Sequence, residues 1–377
     1  MNDLGIYVHW PYCAAICPYC DFNVYRARGA DAAPLIAAIA RDLAAHAERF
    51  GKREAQTLFF GGGTPSLLRG DDIARLIDAA SQAFTLARDC EITLEANPED
   101  AALFAEQAAA GVNRFSVGAQ ALDDAALKGL GRKHDAAASI RAIEAAAHTG
   151  ARVSIDLIYA REGQSVDAWL AELARALALP IEHASLYQLT IEPDTAFARR
   201  LARGDLNPPE LEEAAHLYEA TQAATAAAGF PAYEISNHAR TPEARARHNE
   251  IYWRSQDWVG VGPGAHGRIS QLGVRLATEA QRRPSDYIDA VAEHGVGWVT
   301  EAQLNGEACA DEMLLMGLRL DEGVSLAGIE QTRGRALNRP ALAWLVEQGL
   351  IAHDADRVRL TASGRMLTNR IVSELVV

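Results

Sequence analysis

From residue 5 to about 235, short β-branched and aromatic runs alternate with longer Ala-rich stretches whose apolar positions recur every three or four residues. That alternation predicts repeated βα units around a parallel sheet. Strands are predicted at 5–10, 57–60, 91–95, 114–117, 152–158 and 183–189, with a seventh at 232–235. Helices are predicted between them near 34–50, 70–84, 100–110, 123–147 and 166–178. Spacing alone fits either a barrel, complete or partial, or an open doubly wound sheet, and both gather their chemistry at the carboxyl ends of the strands. After residue 235 the pattern becomes polar and broken by Gly and Pro, as in HNEIYW (248–253) and GVGPGAHG (260–267), which reads as a loop-rich stretch that could cover a barrel mouth. From 301 onward, three helices, two short strands and a last helix predict a winged-helix-like module.

The unusual residues fall where the strand-end rule puts them. Cys13, Cys17 and Cys20 follow the first strand, Gly61-Gly62-Gly63-Thr64-Pro65 follows the second, and Glu95 ends the third. Gln120 follows the fourth, Asp156 lies late in the fifth, and Tyr187 and Gln188 end the sixth. Three thiolates within eight residues can wrap three corners of one small inorganic object. A zinc ion would require a fourth ligand, with His9 the nearest candidate, whereas a four-iron cluster would keep one iron open. On residue type alone, Glu95 and Asp156 could equally be caps or ion-pair partners, and Arg132 a surface charge. Cys90 and Cys309 read as small buried hydrophobes.

Cys-x3-Cys-x2-Cys directly after a first strand resembles the signature of the radical S-adenosylmethionine (SAM) enzymes. Tyr7-Val-His-Trp-Pro-Tyr-Cys13, Phe60-Gly-Gly-Gly-Thr-Pro65, Glu95-Ala-Asn-Pro98, Val117-Gly-Ala-Gln120, Gly131-Arg132 and Asp156-Leu-Ile-Tyr159 further resemble, in order, the oxygen-independent coproporphyrinogen III oxidase group. The resemblance implies a [4Fe-4S] cluster on Cys13, Cys17 and Cys20, with SAM on its open iron. It also implies that Gly62, Gly63 and Thr64 hold the methionine amino group, that Glu95 and Asp156 accept hydrogen bonds from the cofactor, and that Gln120 and Arg132 fix its carboxylate and ribose. Gln188 joins this set, and Tyr7 is expected to brace the cluster loop. Where the group continues Asp-Leu-Ile-Tyr with Gly-Leu-Pro-Gly-Gln, residues 160–164 here read Ala-Arg-Glu-Gly-Gln. The expected architecture is a partial (β/α)6 TIM-like barrel over 1–235, a connecting segment over 236–300, and the terminal module over 301–377.

Two branches of the group differ in function: an oxidase that decarboxylates coproporphyrinogen III, and a haem chaperone that delivers haem to acceptor haemoproteins. The oxidase branch carries a further Cys two residues after the third cluster Cys, where this chain has Phe22, and a long N-terminal arm, where only 12 residues precede Cys13 here. Both features point to the chaperone, with the oxidase as the alternative. On chemistry alone His248 reads as a satisfied core histidine amid ordinary aromatic packing, but the resemblance to that branch implies that it serves as axial ligand to haem iron while Tyr252 and Trp253 stack on the macrocycle, with His238 and His266 as other candidate ligands. Net charge changes the picture of partners. At −14 the chain repels phosphate backbones, and even the winged-helix-like module holds 8 Arg and no Lys against 11 acidic residues, so nucleic acid is not expected. Asp3 stands where a secretory leader would carry a basic residue, and no apolar run is long enough for a membrane helix, so the expected location is the cytoplasm, with peripheral contact at membrane-bound acceptors.

Overall fold

The computed structural model describes residues 3–29 and 31–376, so the outermost limits of the expected domains, 1 and 377, lie outside the described residues. The main sheet has eleven strands, numbered here in chain order: β1 (Leu4–Trp10), β2 (Glu54–Gly62), β3 (Thr85–Ala96), β4 (Arg114–Gln120), β5 (Arg152–Tyr159), β6 (His183–Gln188), β7 (Asn237–Ala239), β8 (Asp257–Val261), β9 (His266–Gln271), β10 (Val274–Ala280) and β11 (Trp298–Leu304). Their spatial order is β11-β10-β9-β8-β1-β2-β3-β4-β5-β6-β7. Neighbours from β1 to β6 run parallel, so the six predicted βα units form the partial barrel, which is open because the outer neighbour of β1 is β8 and not β6.

Strand periodicity explains how the core and the site share these six strands. Side chains alternate between faces, so the register Ile6↔Leu58, Tyr7↔Phe59, Val8↔Phe60 sends Ile6, Val8, Leu58 and Phe60, all fully buried, into one packed layer. The opposite face carries Tyr7, Phe59, Glu95, Ser116 and Asp156 and leaves a space that polar side chains line. The helices close over the apolar layer. Trp169, fully buried, stacks on Tyr159 with ring centroids 5.2 Å apart and donates from Nε1 to Thr221 Oγ1 at 2.7 Å, pinning helix Leu211–Ala227 to helix Val166–Leu177. Trp169→Ala is expected to cost about 3–5 kcal/mol, read as a fall in the urea midpoint.

Three departures from the sequence reading have physical causes. The predicted seventh strand at 232–235 is a turn, in which the Glu234 carboxylate accepts from Ser236 N, Ser236 Oγ and Asn237 Nδ2; the strand starts only at Asn237 and runs antiparallel to β6. The predicted helix 123–147 breaks into Asp124–Gly129 and Ala136–His148, because Gly131 adopts a φ of +72° and Asp135 caps the second piece through Ala138 N. The segment 236–300 is not a loop-rich cover: it supplies β7 to β10 and the first three residues of β11, and extends the sheet beyond β1. The glycines that suggested loops there serve close strand packing, since a Cβ at Gly260 would lie 2.1 Å from the His266 carbonyl oxygen and one at Gly267 2.5 Å from Thr278 Oγ1.

The terminal module has its own apolar core, including Leu314, Leu318, Ile329, Leu345 and Ile371, beneath helices Gly306–Gly317, Leu326–Arg333 and Arg339–Glu347. A three-stranded sheet in the order Val324–Ser325, Arg357–Leu360, Ile351–Asp354 completes the winged-helix arrangement. Arg319 fastens the module to the barrel by pairing with the buried Glu234 at 3.0 Å and lying 4.4 Å over the Trp253 ring.

Candidate cofactor site

The loop after β1 is drawn into a cup by short backbone bonds. Tyr25 N donates to Pro11 O at 2.7 Å and Ala27 N to Cys13 O at 2.9 Å, which close the loop that contains Cys17 and Cys20. The glycine turn after β2 is strapped beneath it: Gly63 N donates to Trp10 O at 2.7 Å and Thr64 N to Tyr12 O at 2.9 Å. Two of these glycines are obligatory in shape. Gly62 has a φ of +105°, and a Cβ there would sit 2.4 Å from the His9 ring; a Cβ at Gly63 would lie 2.8 Å from two backbone carbonyl oxygens.

A cavity of about 370 Å3 opens at the carboxyl ends of the strands and is lined by all three cluster cysteines together with Gly62, Gly63, Thr64, Glu95, Gln120, Arg132, Asp156 and Gln188. The structure thus brings eleven of the residues named from sequence onto one surface. Glu95 Oε2 accepts from Gly62 N at 2.9 Å, and the Asp156 carboxylate accepts from Ser116 Oγ at 2.9 and 3.0 Å. Burial pushes the Glu95 carboxyl up to about 7, aided by the neighbouring Asp156 charge and opposed by the Gly62 N–H. Burial likewise raises Asp156 to about 6 against the stabilising hydroxyls of Ser185 and Ser116. Among the described residues neither carboxyl forms an ion pair, and two desolvated carboxyls so placed suit a ligand that brings positive charge.

The thiols fit a multi-iron group better than a single ion. Among the described residues no three His, Cys, Asp or Glu side chains converge as a single-ion site. His9, the candidate fourth zinc ligand, is engaged at both ring nitrogens, Nδ1 with the Tyr7 hydroxyl at 2.9 Å and Nε2 with Asn23 O at 2.9 Å. Burial holds the Cys13 thiol above its ordinary range and pushes Cys20 up to about 11, so loading metal must release protons. Tyr7 lies beneath the cavity, and its hydroxyl reaches the loop only through His9.

The proposed haem ligands lie elsewhere. His248 is 1% exposed on helix Arg247–Trp253, toward the amino-terminal end of the barrel. Its Nδ1 is 2.7 Å from Thr57 Oγ1, its Nε2 is 2.6 Å from the Tyr252 hydroxyl, and its ring stacks on Phe59 at 4.9 Å. Burial lowers its pKa to about 3, which keeps it neutral. With both nitrogens occupied, His248 in this structure is a satisfied core histidine and not an axial ligand; ligation would require the helix to leave the barrel. Tyr252 is spent on that hydrogen bond and packs edge-on against Trp258 at 4.8 Å, while Trp253 packs between the barrel and the terminal module, so neither lines the cavity. His238 is fully buried on β7, opposite Ala184 of β6, and His266 is exposed on β9. Removing the His248 ring strands the hydroxyls of Thr57 and Tyr252 in the core, so His248→Ala is expected to lower unfolding free energy by about 2–4 kcal/mol, measurable by urea titration whatever its effect on haem.

Sequence reasoning missed the residues that hold the ligating ones. Asn97 Oδ1 accepts from Arg132 Nη2 at 2.7 Å, Ser116 and Ser185 face Asp156, and Phe197 N ties the cluster loop through Pro18 O at 2.9 Å. Asn97 was visible inside Glu95-Ala-Asn-Pro98, but its role required knowing that the 131–132 turn folds against that strand end.

The pattern of the radical SAM superfamily matches residues 7–176, and that of the HemN C-terminal domain matches residues 304–367. Heme chaperone HemW of Mycobacterium tuberculosis is 37% identical over 381 aligned residues, covering 100% of this chain and 95% of that protein. The mitochondrial radical S-adenosyl methionine domain-containing protein 1 of Bos taurus is 40% identical over 328 residues, covering 85% of this chain and 74% of its own. Among solved structures, the Escherichia coli coproporphyrinogen III oxidase HemN superposes with a TM-score of 0.83 over 99% of this chain and 89% of that one, at 23% identity, a likeness of fold. Full-length identity of this order, carried on a radical SAM barrel followed by a HemN C-terminal domain, places the chain in the radical SAM superfamily, within the group that contains HemW.

Proposed function

We propose that this protein is a cytoplasmic haem chaperone that binds haem and passes it to acceptor haemoproteins. The observation that carries the reading is the full-length similarity to proteins named heme chaperone HemW. Membership of the superfamily implies a [4Fe-4S] cluster and SAM. Cys13, Cys17 and Cys20 would hold three corners of the cluster. Glu95 and Asp156 would face the positive charge of SAM, Gln120 and Arg132 would take its carboxylate and ribose, and Gly62 and Gly63 keep side chains out of the space its methionine end needs. Together, once reduced, these cofactors can supply a 5′-deoxyadenosyl radical. Asp156 is held ready by Ser116, and Glu95 by the Gly62 N–H, so neither needs to reorganise when a cationic ligand arrives.

The mouth of the same cavity supports haem as cargo. Phe22 is 63% exposed, Tyr187 44% and Ile16 42%, and all three line the rim beside Lys133. Such a cluster of exposed apolar side chains next to a cation suits a flat apolar macrocycle that carries carboxylates. No helix among the described residues is long and apolar enough to cross a membrane, so contact with membrane-bound acceptors would be peripheral.

Anaerobic reconstitution with iron and sulfide, followed by haem titration and transfer to an apo-haemoprotein, tests the proposal. A saturable Soret band near one haem per chain, passed on to the acceptor, is the expected result. Phe22→Ser should weaken haem binding several-fold while cluster content stays unchanged, since the removed ring would cover about 100 Å2 or more of macrocycle. Conversion of coproporphyrinogen III to protoporphyrinogen IX at enzymatic rates would replace this reading with the oxidase.

A further inference from the structure

Arg132 has unusual company for a cofactor-binding arginine. Its Nη1 lies 3.3 Å from Cys17 Sγ, its Nη2 donates to Asn97 Oδ1 at 2.7 Å, and a longer contact of 3.4 Å reaches Gly118 O. The Tyr19 hydroxyl is a further partner and the Asp100 carboxylate lies close enough to feel the charge, but among the described residues no carboxylate pairs directly with the guanidinium. The guanidinium is therefore a positive charge without a direct ion pair among the described residues, aimed by Asn97 at one cluster cysteine.

The aim is fixed from both sides. Asn97 is held through its backbone N, which donates to the fully buried Ser66 Oγ at 2.9 Å, and Ser66 Oγ donates in turn to Asp100 Oδ2 at 2.7 Å. On the arginine side, Gly131 packs so closely on Pro18, between Cys17 and Cys20, that a Cβ there would lie 2.6 Å from the proline Cδ. The 131–132 turn and the cysteine loop thus pack as one piece, and the segment that follows the glycine turn after β2 is linked to them through Ser66.

We infer that the Asn97–Arg132–Cys17 contact is a positioning device that sets the reduction potential of the iron–sulfur group held by Cys13, Cys17 and Cys20. It rests on the reading that these cysteines hold such a group, and it requires neither haem nor SAM. Reduction delivers one electron from an external low-potential donor, one iron passes from the ferric to the ferrous state, and no covalent bond is made or broken. The added negative charge spreads onto the sulfurs. An N–H donor and a guanidinium at Cys17 stabilise that reduced state more than the oxidised one, so they raise the potential.

The test is a potentiometric titration of the reconstituted full chain with dithionite and mediators, without SAM or haem, followed by electron paramagnetic resonance, with iron and sulfide measured in parallel. At a fixed potential, Arg132→Gln should lower the reduced-to-oxidised ratio about tenfold, equivalent to 59 mV for one electron. Asn97→Ala, which leaves the charge but releases its aim, should lower the ratio about threefold. If Arg132→Gln fails to retain iron, Asn97→Ala decides alone. A parent protein with full iron whose ratio stays within twofold in every iron-loaded variant overturns this inference and leaves the cluster standing, even where Arg132→Gln weakens SAM binding. A parent that takes up no iron under anaerobic reconstitution overturns both.

Discussion

Ser in place of any one of Cys13, Cys17 or Cys20 is expected to remove about nine-tenths of the iron and of the brown chromophore retained after anaerobic reconstitution. Oxygen of a neutral hydroxyl is a poor ligand for iron–sulfur chemistry, and with only three protein corners the loss of one leaves a group held at two. The loop offers no replacement. Among the remaining cysteines, Cys90 is 5% exposed, with a thiol pushed up to about 12 by burial, and Cys309 is 8% exposed on helix Gly306–Gly317 of the terminal module, so neither can swing into the cavity. Cys90→Ser and Cys309→Ser therefore serve as controls that should retain parental iron. Metal analysis and visible absorption read the outcome; stoichiometric zinc in place of iron, or undiminished iron in all three cluster variants, would refute the assignment.

The sequence was most legible where one short segment carried both the signal and the geometry. Cys13, Cys17 and Cys20 are eight residues of chain, and strand-end rules alone placed Glu95, Gln120 and Asp156 on the same rim, because parallel strands in sequence order must end on one side. It was least legible where glycine and histidine meant something only in three dimensions. Gly260 and Gly267 looked like loop punctuation but are there because carbonyl and hydroxyl oxygens of adjoining strands crowd them. Chemistry alone reads His248 as a core histidine and only the resemblance makes it a ligand; its partner Thr57 lies 191 residues earlier, so no local pattern could show that both ring nitrogens were taken. Helix Leu211–Ala227 escaped notice because its Ala- and Thr-rich sequence has no clear apolar stripe, and Trp169 from another helix supplies much of what holds it. The departure at residues 160–164 is also explained only by the fold. Arg161 forms a buried ion pair with Glu172, whose carboxylate also accepts from Leu122 N, so the changed loop is anchored away from the cysteines and leaves Asp156 in place.

Glu95 and Asp156 should make the cofactor-free protein less stable, relative to a Glu95→Gln/Asp156→Asn variant, as pH rises from about 4 to about 8. Their folded pKa values, about 7 and about 6, lie above the ordinary carboxylate values of 4.5 and 3.8. Groups raised in this way contribute stability that is complete below the unfolded pKa and is lost as pH climbs through the folded one, since the fold holds the neutral carboxyl better than water does. The difference between parent and variant should amount to something on the order of 6 kcal/mol across that window, with the variant gaining toward the alkaline end; urea titrations at several pH values give it directly. The same carboxyls reverse the sign for a cationic ligand. SAM carries a sulfonium and an ammonium, and charge-assisted hydrogen bonds to Glu95 and Asp156 exist only once both are ionised. Its affinity for the cluster-loaded parent should therefore rise between pH 6 and pH 7.5, with protons released on binding. Each single neutral variant should lose at least about tenfold in affinity at pH 7.5, the equivalent of one charge-assisted bond of roughly 1.5–3 kcal/mol, and should show a flatter pH profile. Calorimetry in two buffers of different ionisation enthalpy separates proton release from binding. Parental affinity and an unchanged pH profile in both variants would mean that the cationic end of SAM sits against other residues of the cavity.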